Sequence, residues 1–359
     1  LNALSATAHF ESKIKGLGVT QSEFLRAALF IETELPALVA KGKYHLSQRE
    51  TRSPLVIEYD PVSRRSFMQI DGRKGAQLGK GKKKIVTRSI LYSSHPQVVA
   101  KAEQDMNMDR ELAVTKLLQG APGLFDTKGF AQHTENGKKM STIYSVIYNA
   151  GSMQNVYDTH QKFSIWEKAK MALNILRGIE SLHTRGIVHR DLGARNYLAN
   201  IPSGKIGKRD VVAVIADLGR ADYAAKAAGS KVQGNTTYTS PEGLFSEKMK
   251  GPDYFKSDIF AVGCVLYQLF YDSKAAWQDH SYVKDTTKPL KARYEDMVSR
   301  IDHATRARRQ ALHAKAEAGK LVGKEAFEFV VLQMLNPNPS ERPSATQLRK
   351  QMESAFNRL

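Results

Sequence analysis

Residues 187–200 read IVHRDLGARNYLAN, with Asp191 and Asn196 five positions apart in a short charged stretch between apolar segments. A loop that tight can turn both side chains toward one side. Phosphoryl transfer to a hydroxyl needs such a set: a carboxylate to orient the attacking oxygen, and oxygen ligands to hold a divalent cation on the phosphates. A second acid follows in IADLGRAD, where Asp217 ends an apolar run and precedes Leu218-Gly219. An isolated Asp-x-Gly carries little weight. After Asp191 and Asn196, in that order and with a hairpin-sized gap, it becomes specific. Further forward, Gly79 and Gly81 punctuate LGKGKKKIV, which by itself reads as a lysine-rich hairpin turn. Lys101 closes the run VVAK, and Glu111 lies in DRELAVTKLLQG, on a helix able to turn it back toward Lys101. Glu103 is the fallback partner.

The elements that must position these residues divide the chain. Residues 1–45 read as short helices: Leu25, Ala28, Leu29 and Glu32 fall at helical spacing, and Pro36 interrupts the pattern. Strand-like runs PLVIEYD and RSFMQID flank the turn signal Asp60-Pro61. AQLGKGKKKIVTRSILY and QVVAKAE are β-leaning, a helix fits NMDRELAVTKLLQG, and MSTIYSVIYNAG is another strand. From Ser164 the pattern turns helical, with Ser164 as N-cap and Glu167 three residues on. VVAVIADLG reads as a buried strand within that half. The organisation expected is a mainly helical extension over 1–50, a strand-rich lobe over 51–150 and a helix-rich lobe over 151–359, with a cleft between the lobes.

Composition bounds the rest. The 359 residues are 42% hydrophobic and 25% charged, ordinary for a globular protein with ample core. One cysteine, Cys264, excludes an intrachain disulfide framework and points to a reducing, cytoplasmic setting. No apolar run approaches the length of a membrane span, and the opening residues do not read as a signal peptide. The formal net charge of +18 fits an acidic protein substrate, nucleic acid or an anionic membrane. The plainer reading is dispersed lysine and arginine on a solvated surface, and 300–320 is read as an ordinary solvated helix.

These residues together resemble the protein kinase family. GNTTYTSPEG is similar to the end of a kinase activation segment, SDIFAVGCVLYQLF to the buried central helix, and LNPNPSERPSATQL to the closing segment. The likeness covers roughly 70–359. It implies an α+β, bilobal kinase-like fold, with a small antiparallel sheet in the first lobe and a larger, mainly helical second lobe. It implies ATP and Mg²⁺ as cofactors: Gly79 and Gly81 over the phosphates, Val86 and Leu198 above and below adenine near a 145–151 hinge, and Lys101 on the α- and β-phosphates with Glu111 bracing it. Asn196 and Asp217 would hold the metal, and Asp191 would orient the acceptor hydroxyl. Asp258 would brace the catalytic loop, Arg342 would pair with Glu242, and His189 would be a packed structural residue. Arg190 would await a phosphate on the activation segment, at Ser230, Thr236, Thr237 or Tyr238.

The sequence also departs from the family. Lys84 replaces the third glycine of the Gly-rich loop, and Gly193 stands where Ser/Thr kinases carry a lysine near the γ-phosphate. Arg195 supplies a cation four after Asp191, as in tyrosine kinases, whereas GNTTYTSPE resembles the Ser/Thr class. The segment facing the acceptor favours Ser/Thr specificity, with tyrosine or dual specificity as the alternative. Rivals are a nucleotide-binding pseudokinase scaffold and a small-molecule kinase of the aminoglycoside-phosphotransferase type. Residues 1–50 have no counterpart in the likeness.

Overall fold

Apolar side chains in the first hundred residues alternate along strands and recur along one helix, and the two patterns cover each other. The structure is a computed structural model; it describes residues 14–73, 76–80, 84–104, 109–135, 137–229, 236–245, 249–275, 277 and 287–359. The chain divides into two compact units. One holds residues up to Ala113 together with Asp126–Ile147, and the other holds Val114–Phe125 with Tyr148–Leu359.

In the first unit, α1 (Gln21–Thr33) starts at a Thr20–Glu23 capping box, and α2 (Leu35–Ala40) carries Pro36 in its first turn. The proline therefore opens a second helix instead of merely interrupting one. Phe24, Ala27, Ala28, Phe30 and Ile31 form the buried face of α1, whereas Leu29 is 62% exposed. That face packs on Leu46, Ile57, Met68 and Ile90, so the described part of the extension shares the sheet's core and is no separate domain. Each fully buried side chain of this kind contributes about 1.5–3 kcal/mol.

The sheet comprises β1 (His45–Leu46), the short helix α3 (Gln48–Thr51) following it in sequence, then β2 (Val56–Asp60), β3 (Arg65–Gln69), β4 (Gln77–Lys80), β5 (Ile85–Tyr92) and β6 (Gln97–Gln104). After α4 (Asp109–Leu117) come β7 (Thr127–Glu135) and β8 (Lys138–Ser145). The order is β1-β2-β3-β5-β6-β8-β7, with β4 also on β5, and every pairing is antiparallel. β3 and β4 thus share one edge of β5, β3 ending at Gln69 and β4 starting at Gln77. The sheet curls until its two ends meet: the Phe130 amide donates to Asp60 Oδ2 at 3.0 Å, and Arg65 Nη1 donates to the Lys128 carbonyl at 2.8 Å. Phe67 and Tyr144 stack inside the curl, centroids 3.7 Å apart.

The second unit contains β9 (Gly151–Ser152), α5 (Met153–Asp158) and α6 (Ile165–His183), whose Ser164–Glu167 capping box forms as expected. Next come β10 (Ile187–Val188), β11 (Tyr197–Asn200), β12 (Val212–Ile215), β13 (Asp222–Tyr223), α7 (Ala224–Ala227) and α8 (Pro241–Phe245). The long buried α9 (Gly251–Tyr271), α10 (Leu290–Glu317), α11 (Lys324–Met334) and α12 (Ala345–Phe356) complete it. β10 pairs with β13 and β11 with β12, so the loop 189–196 and the residues after β12 are set side by side. The division into a sheet-built unit and a mainly helical one is the α+β organisation expected.

The basic stretch 300–320 lies in α10 up to Glu317 and is laced with carboxylates. Arg300 meets Asp296, Arg309 meets Asp302 at 3.0 Å, and Lys315 meets Glu325 at 2.7 Å. Among the described residues no helix is long and apolar enough to cross a membrane.

Candidate active site

The loop after β10 is held by one buried acid. Asp258, on α9, accepts the His189 amide at 2.7 Å on Oδ2 and the Arg190 amide at 3.0 Å on Oδ1. His183 Nε2 lies 3.2 Å from the same Oδ2. His189 is fully buried and its Nε2 meets the Ala216 carbonyl at 3.1 Å, which ties the loop to the end of β12. The Ala216 amide in turn donates to the Asn196 carbonyl at 2.8 Å. Asn196 Nδ2 donates to the Asp191 carbonyl at 2.6 Å, so its Oδ1 is kept for an acceptor or ligand role.

Two non-glycine residues here occupy the left-handed region, Arg190 at φ 66° and Asp217 at φ 58°. Each such residue costs on the order of 1–2 kcal/mol and persists only where its surroundings impose it. Asp217 presents an exposed carboxylate and accepts the Gly219 amide at 3.4 Å, while Leu218 is buried. Asp191 Oδ2 lies 3.3 Å from Arg220 Nε, and Arg190 Nε donates to the Arg220 carbonyl at 2.8 Å. Arg195 is exposed, and Leu198 is half-buried on β11. The exposed carboxylate and the amide oxygen are hard donors of the kind Mg²⁺ takes, so this pair fits the ion.

Gly193 has a packing reason to be glycine. A Cβ there would stand 3.0 Å from the ring of Tyr238, which is itself 3% exposed. A cavity of about 20 Å³ beneath the loop has room for one water and not for a lysine side chain. Burial pushes the Tyr238 hydroxyl up to about 12. Tyr238 is thus shielded from solvent. Thr236 is exposed and Thr237 half-buried, while Ser230 and Gly81 lie outside the described residues.

Glu242, on α8, receives Arg342 through both oxygens, Nη2 to Oε2 at 3.0 Å. The Arg342 side chain is fully buried; its remaining donors reach the carbonyls of Asn336, Lys256 and Pro337, and its guanidinium lies 4.9 Å from the Phe260 ring centroid. The pair is thus satisfied on every side, the condition for a buried charge to be tolerated.

In the sheet-built unit, Gly79 and Val86 face each other across the β4–β5 hairpin, and a Cβ at Gly79 would meet nothing within 4 Å. A phosphate could approach that backbone closely. Lys101 is 2% exposed on β6, and its ammonium reaches Asp71 Oδ2 at 2.6 Å and Glu103 Oε2 at 2.8 Å. Glu111 instead takes Lys84, Nζ to Oε1 at 2.7 Å. The expected Lys101–Glu111 pair is therefore corrected: the interruption between β3 and β4 places a nearer carboxylate over the Thr87–Lys101 cross-strand pair. Burial opposes the charge on Lys101, yet Asp71, Glu58 and Glu103 hold its pKa above the ordinary lysine value. Asp71 is steadied in turn, since Thr87 donates to its Oδ1 at 2.6 Å and Arg73, two residues on, makes a two-pronged contact with Glu23 of α1 at 3.1 Å.

Sequence reasoning did not find Asp71, His183 or Arg220. Asp71 was legible only as the end of RSFMQID, and nothing in that run announces a partner thirty residues on.

Comparison with known proteins decides what this arrangement belongs to. The protein kinase domain family matches residues 73–352, most of the chain. The chain belongs to the protein kinase family. It is 30% identical over 34% of its length to the human dual specificity testis-specific protein kinase 1 and 36% identical over 28% to the Caenorhabditis elegans serine/threonine-protein kinase nekl-2. It is 23% identical over 84% of its length to a putative serine/threonine-protein kinase, L673, of Acanthamoeba polyphaga mimivirus. It spans 19%, 26% and 54% of those three relatives. Among the described residues, 14–40, which precede the matched range, cover one face of the sheet.

Proposed function

We propose that the chain is an ATP-dependent protein kinase that phosphorylates serine and threonine hydroxyls of protein substrates. The observation that carries this reading is the loop 189–196, held by Asp258 with Asp191 and Asn196 tied together and Asp217 exposed beside them. Asp191 orients the acceptor hydroxyl and receives its proton. Asn196 and Asp217 hold the metal, and Lys101 is the lysine for the α- and β-phosphates, with Asp71 and Glu103 as its counter-ions. Mg²⁺-ATP supplies the phosphoryl group and the charge neutralisation at the leaving oxygens. Gly79 and Val86 are assigned to the phosphates and adenine, with Leu198 on adenine's other face. Because Tyr238 fills the space beside Gly193, Arg195 is the cation left to stabilise developing charge. Arg190, with Thr236 or Thr237, is assigned to activation by phosphorylation.

Serine/threonine specificity rests on the GNTTYTSPE segment and on nekl-2 and the mimivirus relative, whose names carry that class. The test is γ-labelled ATP with Mg²⁺ and a generic basic protein, followed by phosphoamino-acid analysis, beside Asp217→Ala. Phosphoserine or phosphothreonine absent from the variant is expected. Phosphotyrosine alone would overturn the specificity, and no label in the wild type would overturn the activity.

A further inference from the structure

The curl of the sheet brings together three side chains to which the phosphoryl-transfer reading gives no contact with nucleotide or acceptor. His45 on β1 stands directly across from Glu58 on β2, and His133 arrives on β7 from the opposite end of the sheet. One ligand atom from each lies within 4.8 Å of the other two. We propose that His45, Glu58 and His133 bind a divalent transition-metal ion of the zinc class, fastening the two ends of the sheet to each other.

Glu58 is fully buried, and a carboxylate in that position needs cationic partners. Nδ1 of His45 lies 3.2 Å from its Oε1 and Nδ1 of His133 lies 3.0 Å from the same atom. The His133 nitrogen is nevertheless off the line of a hydrogen bond. It is a buried ring nitrogen without a hydrogen-bond partner, on a side chain only 9% exposed. A short separation without donor–acceptor alignment is what two ligands of one ion show. Zinc bonds of about 2.0–2.1 Å imply tetrahedral ligand edges of about 3.3 Å, close to the two observed separations.

The surroundings suit such a site. Tyr144 donates its hydroxyl to the other oxygen, Oε2, which orients the carboxylate and leaves Oε1 for the ion. Two imidazole nitrogens and one carboxylate oxygen match Zn²⁺ and disfavour Mg²⁺, which prefers oxygen alone. The imidazoles are stacked, centroids 3.9 Å apart and planes 13° from parallel. A shared ion requires them to fan apart. The His45 side chain, 31% exposed, has room to turn and leaves a path for the ion and a water as fourth ligand.

The test uses the full chain, stripped with a chelator and dialysed. Isothermal titration with ZnCl₂ is expected to give one equivalent per chain and a raised thermal midpoint. Co²⁺ is expected to give visible absorption of tetrahedral type. His133→Asn and, separately, the more exposed His45→Asn should each weaken uptake by at least about tenfold, with circular dichroism showing the fold retained. No stoichiometric uptake by the wild type would overturn the proposal. So would uptake that both variants retain unchanged, since the ion would then be held elsewhere.

Discussion

Asp258 and Asp71 each hold a part of the proposed machinery, one in a long buried helix and the other on a loop that interrupts a strand edge. Asp258 is 3% exposed and receives two backbone amides. The Asp71 side chain is 39% exposed and receives a lysine ammonium and a threonine hydroxyl. The first acid fixes backbone, so the geometry of the loop 189–196 is set when α9 packs. The second fixes a side chain, and its own place depends on Arg73, Glu23 and α1. The helical unit is therefore braced within its core, and the lysine of the sheet-built unit through a segment that precedes the family's matched residues.

The largest effect is expected where the acid is buried. Asp258→Ala leaves one buried and one part-buried amide without an acceptor and should cost about 3 kcal/mol of stability in urea denaturation. A loss below about 1 kcal/mol would break the contrast with Asp71, whose replacement should cost less. For nucleotide binding the order reverses. Asp71→Asn should weaken ATP binding about tenfold, near 1.4 kcal/mol, whereas Glu111→Gln should leave it within about twofold. If Glu111→Gln proved the more damaging, Glu111 and not Asp71 would be the working partner of Lys101.

Gly193→Ala pushes a methyl against the Tyr238 ring and should destabilise by about 1 kcal/mol. Tyr238→Ala in the same chain should relieve that cost, and no relief would show that the glycine answers to something else. The smallest effect is a pH dependence. Hydrogen bonding to Arg73 holds the Glu23 carboxyl near 2, below its ordinary 4.5, against the opposing effect of burial. The unfolded chain therefore takes up this proton first as pH falls. The contribution is fully present above about 4.5 and is lost as pH drops toward 2. Glu23→Gln should remove on the order of 1 kcal/mol from the acid limb of the stability curve. An unchanged limb would release α1 from its proposed part in holding Asp71.

What was legible in the sequence follows the same contrast. The spacing of Asp191 and Asn196, the Ser164 cap and the Glu242–Arg342 pairing are carried by short segments or by the long α9, and each stands in the structure as a defined contact. Of the two partners the sequence offers Lys101, Glu103 makes the contact and Glu111 does not, while Asp71 is added because β3 ends at Gln69, a place no local periodicity encodes. β7 went unread for a related reason. Its sequence TKGFAQHTE is largely polar, since its second half is mostly solvent-exposed and its His133 faces the buried Glu58 instead of an apolar core. The helical spacing of Leu25, Ala28, Leu29 and Glu32 holds in period: Ala28 and, in part, Leu25 meet the core, whereas Leu29 faces solvent and Phe24, Ala27, Phe30 and Ile31 complete the buried face.

The most direct test of the account is Asp191→Asn, assayed for both ATP binding and transfer of labelled phosphate. Nucleotide binding is expected to stay within about twofold of wild type while transfer falls by at least about a hundredfold. Transfer retained at wild-type level would contradict the role given to Asp191, and with it the reading of the loop that holds it.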